Sequence, residues 1–287
     1  METKQLNGKA LYMPSGKAGE YAKYACNFYV GCSNNCDYCY CKRGVLGHAM
    51  GKPQATLKKC FKDEEHALEV FKKELFVNLN ELRTHGLFFT FTSDPFIEEC
   101  IELTLAAVNY AICCSVPCKI LTKRGDFIAK LPEWWLEKDQ YDARDYLAFG
   151  FTLTGHDELE RGASTNAERI ECMRNLHNAG FKTFASIEPI IDLKSSYEMI
   201  KQTLGFCDLY KIGLMSGKRN YTQQEVMDFM SDVNRVIFDG TFKLNKRIKV
   251  YWKDSVLDYI KMPREDYNYC AKKSITVSAD YNIFNDL

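Results

Sequence analysis

Short apolar runs rich in β-branched and aromatic residues alternate with longer stretches patterned for helix, and this alternation restricts the fold more than any other feature of the chain. The pattern predicts strands over Cys26–Val30, Leu87–Phe91, Cys118–Thr122, Tyr146–Thr152, Thr183–Ile187, Leu209–Ile212 and Lys249–Trp252. Helices are predicted near Glu65–Leu82, Glu98–Cys114, Thr165–Ala179, Tyr197–Leu204, Gln223–Phe238 and Ser255–Lys261. The helix near 165 has the clearest ends. Thr165 and Glu168 fit a capping box, Ile170, Met173, Leu176 and Ala179 recur at helical spacing, and Gly180 is placed to stop it.

A repeated strand–helix rhythm is satisfied by a parallel sheet wrapped in helices. The expected fold is therefore α/β, a partial (β/α)6-type TIM barrel with parallel strands. One domain over residues 1–287 is expected, with a core at about 20–215 and a C-terminal strand/helix extension at about 216–287. Ligands of such folds sit at the C-terminal ends of the strands, so the residues just after each predicted strand are the place to look.

Composition narrows the function classes. The chain is 46% hydrophobic and 26% charged with only 7 Pro and 17 Gly, which excludes a low-complexity or collagen-like chain. Lys plus Arg and Asp plus Glu are both 38, so a generally basic nucleic-acid binder is not indicated, while a local basic patch stays open. The longest apolar stretch, roughly Leu103 to Val116, contains Asn109 and is too short to span a bilayer. METKQLNGKALYMPSGKAGE has no apolar run; the expectation is no secretory signal, no membrane association and a cytoplasmic location.

Thirteen cysteines are many for a chain expected in a reducing compartment, where thiols bind metal, do chemistry or pack as small hydrophobes. After the first predicted strand the sequence reads YVGCSNNCDYCYCKRG, with Cys32, Cys36 and Cys39 spaced C-x3-C-x2-C. Three thiolates this close can turn around one metal centre, and thiolates suit soft ions and iron–sulfur clusters. A [4Fe-4S] cube held by three cysteines keeps one iron open for a small chelating molecule. With Cys41 as a fourth thiolate, the same loop suits zinc in a non-catalytic interaction module.

This spacing after the first strand, with the aromatic Tyr38 before the third cysteine, resembles the radical SAM superfamily. ACNFYVGCSNNCDYCY, FTFTSDP, KILTKR and ERGASTNAERIECMRNLHNAGFKTFASIEPII resemble the branch that includes spore photoproduct lyase and its uncharacterised relatives, over roughly residues 20 to 215. The resemblance implies a radical SAM fold, a [4Fe-4S] cluster on Cys32, Cys36 and Cys39, and S-adenosyl-L-methionine (SAM) as cofactor. Reductive cleavage of SAM would give a 5′-deoxyadenosyl radical that abstracts hydrogen from a substrate. The partners implied are a low-potential electron donor, flavodoxin or ferredoxin, and an anionic substrate such as nucleic acid, with lesion repair among the lyase-like reactions.

The resemblance also suggests roles at the strand ends. Many relatives have a Gly-Gly-Glu-like turn that receives the methionine amino group; Ser93 and Asp94 stand there in this chain, where Asp94-Pro95 is otherwise an ordinary turn. Thr122, Lys123 and Arg124, then Thr152 and Thr154, then Ser186 and Glu188, follow the next three strands. Of these, Lys123, Thr152, Ser186 and Glu188 are candidates for the ribose hydroxyls or the carboxylate, against the plainer reading of β-propensity and surface charge.

Lys42-Arg43, Lys123-Arg124 and Lys218-Arg219 would share a face of the barrel and form a positive rim, unless they are scattered solvated charge. Tyr38, Tyr40, Phe96, Trp134, Trp135 and Trp252 are candidates for stacking on bases, though most aromatics are core. Cys113, Cys114 and Cys118 fit core packing better than an auxiliary cluster, and Cys26 and Cys41 read as structural. Lyase relatives return a hydrogen atom from a thiol some tens of residues past the cluster; only Cys60 lies in that range, and KKCFKDEE does not resemble their segment. Among the histidines only His156, beside Asp157 in a strand-end loop, invites a proton-carrying role, and a surface role is the plainer one.

Overall fold

The runs LFF, CKILT, LAFGFT and LYKIGL carry apolar side chains at consecutive positions, which suits strands covered on both faces. The computed structural model describes residues 6–44, 47–137, 142–217, 219–270 and 275–284. Ten strands are β1 (Leu11–Tyr12), β2 (Ala25–Cys26), β3 (Tyr29–Val30), β4 (Thr56–Leu57), β5 (Leu87–Phe89), β6 (Cys118–Thr122), β7 (Leu147–Thr152), β8 (Lys182–Ile190), β9 (Leu209–Leu214) and β10 (Lys249–Trp252). The α-helices are α1 (Gly47–Met50), α2 (Glu64–Val77), α3 (Leu79–His85), α4 (Ile101–Cys113), α5 (Glu133–Leu136), α6 (Asn166–Asn178), α7 (Leu193–Thr203), α8 (Gln223–Lys243), α9 (Asp254–Leu257) and α10 (Arg264–Cys270).

Eight strands form one sheet in the order β1-β2-β5-β6-β7-β8-β9-β10. Only the β1–β2 pair is antiparallel. The expected parallel strands are β2, β5, β6, β7, β8 and β9, and β10 extends the same sheet from the C-terminal segment. Among the described residues β1 and β10 do not pair with each other, so the barrel is partial and open. No helix among the described residues is long and apolar enough to cross a membrane.

The two-residue alternation of a strand sorts the side chains. Ile120, Phe149, Phe151, Ile187, Tyr210 and Ile212 join the core under the helices. Phe88, Ala148, Phe184 and Leu209 form a second cluster on the inner face, with Tyr21, Ile283 and Phe284. Continuing that alternation toward the strand ends places Thr152, Ser186, Glu188 and Lys211 on the inner face as well.

Some boundaries differ from expectation for identifiable reasons. The single strand expected over 26–30 is split at Asn27, whose Oδ1 accepts from Phe91 N (2.9 Å) and whose Nδ2 donates to Tyr12 OH (2.7 Å). β3 then leaves the main sheet and pairs with β4 in a separate hairpin. The helix expected over 65–82 is two helices broken at Asn78, whose Nδ2 donates to Glu74 O at 2.7 Å. α7 starts before the expected position because Asp192 caps it through Ser195 N, and the helix expected at 255–261 is the short α9. The Thr165–Glu168 capping box is present, and a second one, Thr222 with Glu225, starts α8.

Candidate active site

The loop after β3 carries the three cysteines, and its path is set by close backbone contacts. Gly31 has φ +85°, and a Cβ there would lie 2.2 Å from Gln54 O, so only glycine fits. Cys32 N donates to Lys52 O (3.0 Å), Asp37 N to Leu159 O (2.9 Å) and Gly162 N to Asn34 O (3.1 Å). A Cβ on Gly162 would meet Ser33 O at 2.1 Å. The loop is thus pressed against residues 157–162, which follow β7.

Side chains complete the bracing. Asn34 Nδ2 donates to Asp94 Oδ2 at 2.8 Å, while Asn34 Oδ1 is buried and has no hydrogen-bond partner among the described residues. Asp94 is buried and also accepts from Thr122 Oγ1 (2.7 Å), Lys123 N (2.7 Å) and Phe96 N (3.0 Å). Tyr38 donates its hydroxyl to Glu160, and Glu160 is ion-paired to Arg169. Both partners of that pair are fully buried, and Arg169 Nη1 also donates to Thr152 O at 2.6 Å.

Cys32, Cys36 and Cys39 are free thiols on one wall of a cavity of about 340 Å3 at the C-terminal ends of the strands. Ser93, Asp94, Lys123, Thr152, Ser186 and Glu188, the residues singled out from the sequence, line the same cavity. Burial pushes the Cys32 thiol up to about 12 and raises Cys36, against which the nearby Lys123 ammonium works. Cys39 is pulled down to about 6, first by a hydrogen bond from the Cys41 thiol. Cys41 is raised by the same contact. Among the described residues no three Cys, His, Asp or Glu side chains converge in metal-ligating geometry.

Ser186 and Glu188 belong to a polar part of the lining whose other members, Tyr21 and Lys253, were not legible in the sequence. Tyr21 OH lies 2.6 Å from Ser186 Oγ and donates to Glu188 Oε2 at 2.7 Å. Lys253 Nζ donates to the same Glu188 oxygen at 2.7 Å and to Lys17 O at 3.0 Å. Burial, and then the Glu188 carboxylate, holds the Tyr21 phenol well above its usual range. Lys211 reaches the carbonyls of Glu20 (2.5 Å) and Tyr21 (3.3 Å), fixing the segment before β2 across the inner face. Its pKa is lowered by burial and by Lys119 and Lys253. A lysine at an inward position of LYKIGL was the available signal that polar groups meet on the inner face.

Other candidates lie elsewhere or are already engaged. Arg124 pairs with Asp126, and Arg219 Nε donates to Met215 O, while Lys218 lies outside the described residues. Trp134, Trp135, Trp252 and Phe96 do not line the cavity; Phe96 stacks on Phe127, and Trp135 and Trp252 are buried in the core. Tyr38 and Tyr40 do line it. Cys60 and Cys113 are exposed and outside the cavity, so Cys113 does not pack in the core as expected, whereas Cys114 packs partly buried against the core and Cys118 is buried in it. His156 is bound by Glu158 (2.7 Å) and Asp192 (2.5 Å), away from the cavity.

Comparison with known proteins agrees with the sequence resemblance at the level of fold. No family model matches the chain. An uncharacterized protein of Methanocaldococcus jannaschii is 25% identical over 198 residues, covering 66% of this chain and 69% of the relative. Among solved structures, a cysteine-to-alanine variant of spore photoproduct lyase superposes with a TM-score of 0.61 at 15% identity, over 84% of this chain and 80% of that one. A doubly substituted variant of the lyase, with bound AdoMet and dinucleoside spore photoproduct, superposes with a TM-score of 0.59 at 14% identity, over 84% and 78%. The fold is that of spore photoproduct lyase, as the radical SAM resemblance implied.

Proposed function

We propose that this chain is a radical SAM enzyme whose Cys32, Cys36 and Cys39 hold a [4Fe-4S] cluster. The observation that carries the reading is the meeting of those three free thiols with the strand-end residues Lys123, Thr152, Ser186 and Glu188 on one cavity. The donor set fits the group: three thiols lining one cavity suit an iron–sulfur cluster, and the thiol of Cys41 donates to Phe91 O. When bound, the reduced cluster supplies the electron that splits SAM and yields a hydrogen-abstracting radical.

The chain's own residues bind, orient and shield. Burial disfavours the Lys123 ammonium, but Cys36 and Glu160 outweigh it, so it stays charged and suits the SAM carboxylate. Ser93, which lines the cavity, would receive the methionine amino group. Asp94, with four donors already on its carboxylate, serves mainly to hold Lys123 and the cysteine loop in register. Thr152, Ser186 and Glu188 offer oxygen acceptors for the ribose hydroxyls, and Tyr21 orients the last two. Phe91 and Leu121, which line the cavity and pack on the apolar inner cluster of Phe88, Phe184 and Leu209, help to exclude water from it.

Flavodoxin or ferredoxin is the proposed reductant, and the substrate is an anion. Nucleic acid is the substrate class suggested by the fold neighbours. The exposed position of Cys60 outside the cavity counts against a hydrogen return from that thiol. The test is anaerobic incubation of the reconstituted chain with SAM and dithionite, reading 5′-deoxyadenosine by chromatography. Formation that vanishes in Cys32→Ala, Cys36→Ala and Cys39→Ala is expected. No product from the wild type, or full product from any of the three variants, would refute the proposal.

A further inference from the structure

The segment that follows the cysteine loop is charged in one sense only. Between Asp37 and Asp63 there is no Asp or Glu, while Lys42, Arg43, Lys52, Lys58, Lys59 and Lys62 all fall there, in a chain whose net charge is zero. Among the described residues none of these six cations is within ion-pair distance of a carboxylate. Arg43, Lys52, Lys59 and Lys62 are exposed. Lys42, Arg43 and Lys52 line the mouth of the cavity beside the thiols. The segment folds back on the cysteine loop through the β3–β4 pair and through Cys32 N to Lys52 O.

An unneutralised patch of this kind raises the local concentration of anions and speeds their arrival. We propose that the basic surface carrying Lys42, Arg43, Lys52, Lys58, Lys59 and Lys62 is the docking site of a small acidic one-electron carrier protein. The proposal rests on the reading of the cavity as an iron–sulfur site, because an electron bound for the three thiols enters most directly through the segment that lies against their loop. The patch has the composition of a transient encounter surface. No large apolar side chain is exposed among its described residues, as suits weak redox contacts, which are small and steered by charge. Nucleic acid fits less well, since a single strand needs aromatic platforms interleaved with cations. Tyr40, an exposed ring beside the patch, has its hydroxyl bonded to Phe91 O.

The test uses the reconstituted full chain, flavodoxin as the probe and the variant Lys59→Glu/Lys62→Glu. Flavodoxin association, followed by stopped-flow flavin fluorescence, should slow on the order of tenfold in the variant, and in the wild type it should slow with added salt. SAM cleavage driven by dithionite should be unchanged in the variant. Equal association by wild type and variant, or association insensitive to salt, would overturn the assignment. So would loss of binding to a short DNA duplex in the variant while flavodoxin association is unaffected. A wild type that yields no 5′-deoxyadenosine with dithionite would refute the reading of the cavity, while flavodoxin association would still judge the patch.

Discussion

Asn34, between the first two cysteines of the loop, donates through Nδ2 to Asp94 Oδ2 at 2.8 Å. That contact joins the loop after β3 to the turn after β5, and Asp94 passes the connection to β6 through Thr122 and Lys123. Asp94→Ala should therefore leave several buried donors without acceptors, at about 1–3 kcal/mol each before relaxation. A lowered melting temperature and a reduced iron content after reconstitution are expected, measured by calorimetry and iron assay. Ser93→Ala, by comparison, should melt close to the wild type.

The Glu160–Arg169 pair is fully buried, so breaking it should cost more than replacing it. Arg169→Met alone should lose about 3–5 kcal/mol by leaving the Glu160 charge unpaired. The double variant Glu160→Leu/Arg169→Met should recover part of that loss in urea unfolding. A double variant less stable than Arg169→Met would show that the pair does not act as a unit.

Gly162 supports the cysteine loop because its Cα hydrogen faces Ser33 O. Gly162→Ala has to move one of two backbones and should destabilise the chain by about 1–3 kcal/mol. Because the displaced backbone belongs to the cysteine loop, cluster retention should fall further than in a surface Gly→Ala variant of similar stability. Parallel iron assays and melts make the comparison.

His156 ties the loop after β7 to the start of α7. Burial works to lower its pKa, but hydrogen bonds to Glu158 and Asp192 outweigh it, so the folded value lies above the ordinary 6.5. A raised folded value means that the protonated histidine stabilises the fold fully below the unfolded pKa, and that this support is lost as pH rises through the folded pKa. Denaturation in urea should show wild-type stability falling across that window, and His156→Gln should flatten the fall. An equal slope in the variant would assign the pH dependence to other groups.

The site was legible where chemistry is written in local spacing and hidden where it depends on distant partners. Cys32, Cys36 and Cys39 are read from eight residues, and Thr152, Ser186 and Glu188 from their places at strand ends. Tyr21 and Lys253 meet Glu188 only because the sheet brings the segment before β2 and the end of β10 to the same inner face. The partners of Asp94 and Glu160 are equally remote in sequence. The strand expected over 26–30 was misread because the apolar run hides Asn27, whose side chain bonds to neighbouring segments and turns the chain out of the sheet.

The most direct measurement of the central claim is Mössbauer spectroscopy on anaerobically reconstituted, iron-57-enriched protein, before and after SAM is added. The account predicts about four irons per chain in a [4Fe-4S] centre, with one iron site changing on SAM addition. It also predicts loss of the centre in Cys32→Ala, Cys36→Ala and Cys39→Ala. A colourless protein holding zinc through Cys32, Cys36, Cys39 and Cys41, or a cluster whose spectrum ignores SAM, would contradict it.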